Sequence, residues 1–262
     1  MYSKNNENAI AFIPARSGSL RVKNKNIMNF YDHPLIAYAI QSAIKSRVFQ
    51  QIFVITDCNK TADIAEHYGA KVPFMRPKSI SGSLSPDIDW LKYTFKKFNK
   101  QKIEFDYFAI LRTTTPQRKV SLIRDAYKML RNNKNADSIR AVSLCKEHPG
   151  KMWSIKNKFL KPLLTNNKKV EFHAKQYQDL PKFYYQNSSL EFARKYCVTK
   201  YYSREGKKIL PLVTNDFDGM SIDTKLDVEN LKILINKKKI YLPKIGVKKY
   251  NLKQTRIYLK SK

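Results

Sequence analysis

The chain has 262 residues, 42% hydrophobic and 12% aromatic, which is enough for one large domain with its own core. Its formal charge of +30 comes from 39 lysines and 12 arginines against 21 acids, spread along the chain. A scattered lysine excess reads first as compositional bias and only second as a nucleic-acid surface, because specific readers cluster arginine. No apolar run approaches the roughly 18 residues of a membrane span, and the first ten residues lack a signal peptide's apolar stretch, so a cytoplasmic protein is expected.

Ala9 to Ile13 is a short apolar run, the pattern of one buried strand. It breaks at Pro14 into a loop carrying Ala15, Arg16, Ser17, Gly18, Ser19, Arg21, Lys23 and Lys25. Leu35 to Val48 repeats apolar residues at three- and four-residue spacing, predicting an amphipathic helix started near Asp32–Pro34. QIFVIT, Gln51 to Thr56, predicts a second buried strand ending at Asp57. A helix capped by Asn59 or Thr61 should then run to Tyr68 and stop at Gly69, and Lys71 to Phe74 reads as a further strand. After the small-residue loop Ser79 to Asp87, a helix is predicted from Asp87 to Phe98, a strand from Tyr107 to Leu111, a helix from Lys119 to Asn132 and a strand from Ser138 to Leu144.

This alternation predicts an α/β fold, a mostly parallel, Rossmann-like sheet flanked by helices on both faces. Its ligand crevice should lie beyond the carboxyl ends of the strands, where the loops after Ile13, Thr56 and Leu111 converge. Residues 148 to 200 lose the rhythm. There Trp153–Ile155, Phe159–Leu160 and Phe183–Phe192 read as hairpin or edge strands of a small β-rich insertion within a single domain spanning 1–262. Ile209–Val213 resumes the pattern, Asp227 to Asn236 is the last helix, and 237–262 is a basic tail.

A strand that delivers a cation-rich loop with a glycine to a sheet edge suits a phosphate chain, since backbone N–H groups and fixed charges neutralise its oxygens. Arg112, Thr114 and Thr115 follow another buried strand and can read a base or sugar. Equally, Thr115–Pro116 is an ordinary helix start. Asp216, Asp218, Asp223 and Asp227 put four carboxylates within twelve residues of a chain with only 21 acids. Such hard oxygens suit Mg²⁺, with Asp223 the preferred ligand and Asp227 more naturally an acid of the helix start. The cysteines Cys58, Cys145 and Cys197 are scattered and odd in number, and read as reduced, buried residues rather than a metal site or a disulfide framework. No Ser-His-Asp or Cys-His set stands out. A phosphate cradle, a base-reading loop and a carboxylate metal site on one sheet together describe nucleotidyl transfer.

The opening loop, IPARSGS followed by KNKNI, resembles the N-terminal signature of the acylneuraminate cytidylyltransferase (CMP-sialic acid synthetase) family. VITD at Val54–Asp57, Arg76–Pro77, LRTTTPQR from Leu111, EHPGK from Glu147, QDLPKFYYQN from Gln178 and SIDTKLD from Ser221 are similar to its later motifs, in order, over about residues 8 to 236. The resemblance implies transfer of CMP from CTP to an anionic, sialic-acid-like sugar, with Mg²⁺, release of pyrophosphate, a role in surface-glycan synthesis and a homodimer built through the insertion. It implies that Arg16, Lys25 and Asn26 hold the triphosphate and cytidine, with Ala15, Ser17, Gly18, Ser19 and Arg21 around them. Ser83, Thr114 and Thr115 would line the nucleotide pocket, Lys151 and Asn187 would serve the acceptor side, and Asp223 would bind Mg²⁺. This chain has Leu20 in place of the family's lysine and Arg112 in place of a glutamine. Tyr177 stands for an arginine, Ser188 for a glycine, and Ser221 for the first metal aspartate, for which Asp216 or Asp218 could compensate. The departures leave two readings, weak catalysis or an acceptor other than sialic acid with Arg112 as a displaced cation. Retention of Arg16, Lys25, Asn26, Lys151 and Asp223 favours the second.

Overall fold

The computed structural model describes residues 7–19, 22–165 and 170–251. In chain order the strands and α-helices are β1 (Ala9–Pro14), β2 (Asn29–Phe30), β3 (His33–Pro34), α1 (Leu35–Ser46), β4 (Gln51–Ile55), α2 (Asn59–His67), α3 (Asp87–Lys100) and β5 (Tyr107–Ile110). There follow α4 (Val120–Asn132), β6 (Ser138–Leu144), β7 (Trp153–Lys156), β8 (Phe159–Pro162), β9 (Tyr184–Arg194), α5 (Tyr196–Thr199), β10 (Ile209–Val213) and α6 (Lys225–Asn236).

Six strands form the main sheet in the order β10-β6-β9-β5-β1-β4. All run in one direction except β9, which pairs antiparallel with both β5 and β6. The mostly parallel α/β sheet expected from the sequence is present. The two faces of β1 show how it is built, because successive side chains of a strand point to opposite sides. Ala9, Ala11 and Ile13 meet Ile36, Ala39 and Ala43 of α1 and Ile123 and Ala126 of α4, small residues that let these helices lie close. Ile10 and Phe12 enter an aromatic layer with Phe53, Trp90, Phe95, Phe98 and Phe108 under α3. A third cluster, in which Phe30, Leu35 and Tyr38 pack on Ile222 and Leu231, fixes α6 and the loop before it against the start of α1.

Several local expectations are corrected. Lys71 to Phe74 forms no strand; only isolated bridges join Phe53 to Lys71 and Thr56 to Met75, with no continuous ladder between them. Thr115 does not cap a helix, since α4 begins five residues later with Lys119 at its N-cap. Tyr184–Arg194 is not an edge strand of an insertion but sits in the middle of the main sheet. Its first three residues are exposed and Asn187 and Ser189 are buried polar residues, so the apolar signal of a central strand was missing. What does stand apart is the hairpin β7–β8, whose strands pair only with each other through a tight turn with positive φ at Asn157 and Lys158. All three cysteines are free, but only Cys197 is fully buried. Among the described residues no helix is long and apolar enough to cross a membrane.

Candidate active site

The loops after β1 and β5 converge at the carboxyl edge of the sheet, where they enclose a cleft of about 720 Å³. The opening loop contributes Pro14, Arg16, Ser19, Val22, Lys25 and Asn26, and the segment after β5 contributes Arg112, Thr113 and Thr114. Arg76, Ser83–Ser85 and Asp87 form a further wall, closed by Ser188 of β9 and by Ser221 and Asp223 before α6.

The opening loop is held by side chains from other elements. Ala15 N–H donates to the Ile55 carbonyl at 3.0 Å. The Asp57 carboxylate accepts from Ser17 N–H at 2.6 Å and from Ser17 Oγ at 2.5 Å. Gly18 has φ +71°, a left-handed turn that favours glycine. Arg16 curls over its own loop, donating from Nη1 to the carbonyls of Ser17 and Gly18. Asn26 ties two sides of the cleft together, donating to the Arg16 carbonyl at 2.9 Å and accepting from Thr113 Oγ1 at 2.5 Å. Lys25 lies beside it with Nζ 2.9 Å from Asp223 Oδ1.

The segment after β5 joins the walls. Thr114 C=O accepts from Ile222 N–H at 2.8 Å, and Gln117 Nε2 donates to the carbonyls of Phe217 and Met220, so the Asp223 loop is hung from this segment. Arg118 is 1% exposed and donates to the backbone carbonyls of Arg112 and Ser189. Burial, then the Arg112 charge, pull its pKa down.

Arg112 carries the largest departure from the expected chemistry. It is not an open cation for an acceptor's anionic group. Nη2 lies 2.5 Å from Asp87 Oδ2 and 3.1 Å from Glu191 Oε1. Glu191 also holds Arg140 at 2.8 Å and Arg204 at 3.3 Å, and Glu205 holds Arg140 at 2.5 Å and Arg204 at 2.8 Å. Three arginines thus balance three carboxylates along one wall. Burial pushes the Asp87 carboxyl up, but Arg112, the Trp90 indole N–H and Arg204 outweigh it and hold its pKa below the usual carboxylate range. Asp87 therefore adds stability that is complete at neutral pH and fades only as pH falls below about 4 through that lowered value.

The sequence-predicted residues fall in different places. Arg16, Ser19, Lys25, Asn26, Ser83, Arg112, Thr114 and Asp223 line the cleft. Ala15, Ser17, Gly18 and Thr115 support it from behind, Thr115 through its hydroxyl to the Ser188 carbonyl at 3.4 Å. Arg21 lies outside the described residues. Lys151 and Tyr177 do not line the cleft of this chain. Lys151 Nζ donates to the carbonyls of His173 and Lys175, and the Tyr177 hydroxyl donates to Lys146 C=O and accepts from His148 N–H. Asn187 is a buried bracket between Ser143 and Thr214. Asp218 lies outside the cleft lining, 8% exposed and paired with Lys119 at 2.9 Å. Asp227 completes the capping box of α6 with Thr224.

Sequence reasoning gave no role to Asp57, Arg76, Asp87 or Glu191. Asp57 and Arg76 sat inside matched motifs, whereas Asp87 and Glu191 carried no local signal because their partners are distant in the chain.

For a divalent cation the donor set is sparse. Among the described residues no group of three or more His, Cys, Asp or Glu is placed to hold a metal. Of the two carboxylates that line the cleft, Asp87 is paired with Arg112 and Arg204, and Asp223 meets Lys25 at 2.9 Å. One carboxylate plus substrate phosphates is the usual protein share of a Mg²⁺ site, so the residues fit such an ion.

A cleft at the sheet edge lined by cations and carboxylates is the arrangement of a nucleotidyltransferase. The family model described as cytidylyltransferase matches residues 10–260, and the chain belongs to that family. It is 29% identical over 231 residues to a pseudaminic acid cytidylyltransferase of Campylobacter jejuni, covering 86% of this chain and 95% of that protein. It is 28% identical to an N-acylneuraminate cytidylyltransferase of Escherichia coli, covering 88% of this chain and 52% of that one. Its fold resembles that of CMP:2-keto-3-deoxy-manno-octonic acid synthetase solved with CTP, with a TM-score of 0.65 at 14% identity over 88% of this chain and 99% of that one.

Proposed function

We propose that this cytidylyltransferase transfers CMP from CTP to the hydroxyl of a nonulosonic acid, releasing pyrophosphate, as a cytoplasmic step in surface-glycan synthesis. The observation that carries the reading is the cleft itself, which brings Arg16, Lys25 and Asp223 together with Thr113, Thr114 and Ser83, the Lys25 ammonium lying against the Asp223 carboxylate. Arg16 and Lys25 draw and orient the triphosphate, and the hydroxyl and backbone groups of the Thr113–Thr114 segment face the nucleoside. Asp223 would hold Mg²⁺, which when bound polarises the α-phosphate and neutralises the charge that develops there. The chain's own part is to fix the acceptor oxygen and the α-phosphorus in line. The identities to the pseudaminic acid and N-acylneuraminate enzymes support a nine-carbon sugar acid as acceptor. Incubating the protein with each nucleoside triphosphate and a panel of sugar acids, with pyrophosphate as readout, tests this. Release is expected only with CTP and a nonulosonic acid.

The proposal includes a homodimer. Trp153 and Ile155 on β7 share one face of the hairpin with Leu160 on β8, and Ile155 is 78% exposed. An apolar face on a lone two-stranded hairpin needs a cover, and a second copy that receives this arm beside its own cleft provides one. Lys151 and Tyr177, placed near the hairpin rather than in this chain's cleft, would then serve the neighbour's acceptor. Light scattering at micromolar concentration should give twice the chain mass, falling to one in Ile155→Asp/Leu160→Asp. A monomeric wild type would refute the dimer.

A further inference from the structure

We propose that Leu84 is a nucleoside-binding residue, the tip of a flap that packs its side chain on the base of bound CTP. The proposal rests on reading the cleft as the CTP site. Leu84 is 94% exposed, the most exposed large apolar side chain among the described residues, yet it lines the cleft. The lining is otherwise polar or charged apart from Pro14 and Val22.

The flap is residues 76–86, and both of its ends are fixed. At its start Arg76 N–H donates to the Thr56 carbonyl at 2.7 Å, and the buried Arg76 side chain donates from Nε to the Ile80 carbonyl at 2.8 Å. Ser81 Oγ donates back to the Pro77 carbonyl at 2.8 Å. At the far end Asp87 opens α3, accepting from Trp90 Nε1 at 2.9 Å and pairing with Arg112. Between these anchors Gly82 and Ser85 close a turn on each other. Ser85 N–H donates to the Gly82 carbonyl at 3.3 Å, and Gly82 N–H donates to Ser85 Oγ at 3.1 Å. Ser83 and Leu84 are the central residues of that turn.

The topology carries this tip over the place where a nucleotide must lie. The flap leaves beside Thr56, just past β4, and returns beside Arg112, just past β5. β1 lies between those two strands, so the flap crosses the carboxyl end of β1, from which the opening loop starts. A ligand cradled by that loop comes under the tip. A triphosphate chain and a sugar acid offer leucine chiefly charged and hydroxylated surface, whereas a pyrimidine ring offers a π-face. Covering that face takes Leu84 out of water, a gain made only when the nucleotide is bound.

Calorimetric titration of CTP with Mg²⁺ into wild type and Leu84→Ala tests this, with inorganic tripolyphosphate as a second titrant. Leu84→Ala should weaken CTP about five- to tenfold, while tripolyphosphate binds within about twofold of wild type. Leu84→Met, which keeps an apolar side chain of similar volume, should hold CTP within about twofold. The melting temperature should not move, because so exposed a side chain adds little to the fold. Unchanged CTP binding in Leu84→Ala, an equal loss for both titrants, or no rescue by methionine overturns the proposal. Wild type that fails to bind CTP at all sinks the CTP reading of the cleft, and the proposal with it. The two failures are read from different proteins.

Discussion

Replacing Asp223 by asparagine is expected to lower CMP transfer by at least about a hundredfold while leaving the melting temperature nearly unchanged. The cause is local. Two carboxylates line the cleft: Asp87 is held at 2.5 Å by Arg112 and at 2.8 Å by Arg204, and Asp223 meets Lys25 at 2.9 Å. The amide keeps the side chain's shape but, on the proposed reading, would not hold a divalent cation that helps to polarise the α-phosphate. The backbone that presents residue 223 is set by Thr114 and Asp227 and is untouched by the change. Asp218→Asn is the informative contrast. Its carboxylate is paired with Lys119 outside the cleft lining, so transfer should stay within about threefold of wild type. Steady-state rates of both variants, with melting curves, check the pair of expectations. A Asp218 variant as inactive as the Asp223 one would move the metal site.

The second large effect is on stability. Glu191→Ala is expected to destabilise the protein by about 3 kcal/mol or more, because breaking a buried ion pair strands the remaining charge. Glu191 is 7% exposed and contacts Arg112, Arg140 and Arg204 at once. Removing it turns a wall of three cations and three anions into three against two, and strands the buried Arg140 beside it. For a chain of this size that is a fall of about 6–12 °C in melting temperature. The double variant Glu191→Leu/Arg140→Met should recover much of the loss, since an apolar pair replaces an ion pair with little penalty. Thermal denaturation of the single and double variants tests it. A single variant within about 1 kcal/mol of wild type would mean that solvent already screens the network.

These effects show what could be read from residues and what could not. β1, β4 and β5 are near-continuous apolar runs, buried on both faces, so their existence followed from pattern. The cation-rich loop after β1 announced itself because Arg16, Gly18 and Lys25 lie close together in sequence. β9 was misplaced because a strand that begins with exposed tyrosines and buries Asn187 and Ser189 looks like surface from its composition. Its partners, Ser143, Thr214 and Asp218, make those polar groups affordable only once the chain has folded. The Arg112 network was invisible for the same reason, since its members come from α3, β6, β9 and the loop before β10. A lone arginine after a strand reads as a free charge, and only the fold shows the carboxylates that neutralise it. Asp223 was the preferred ligand from the sequence and Asp218 a compensating one, but nothing in the acidic stretch showed where each would point. Five residues of loop send one to Lys119 and the other into the cleft.

The measurement closest to the central claim is a product assay on wild-type protein with Mg²⁺, each of the four nucleoside triphosphates and a set of nonulosonic and shorter sugar acids. CTP with a nonulosonic acid should yield the CMP-sugar and pyrophosphate in equal amounts, seen by mass spectrometry, with little product from the other triphosphates. Folded protein that binds CTP yet forms no CMP-sugar with any acceptor, or that uses another triphosphate equally well, would contradict the account.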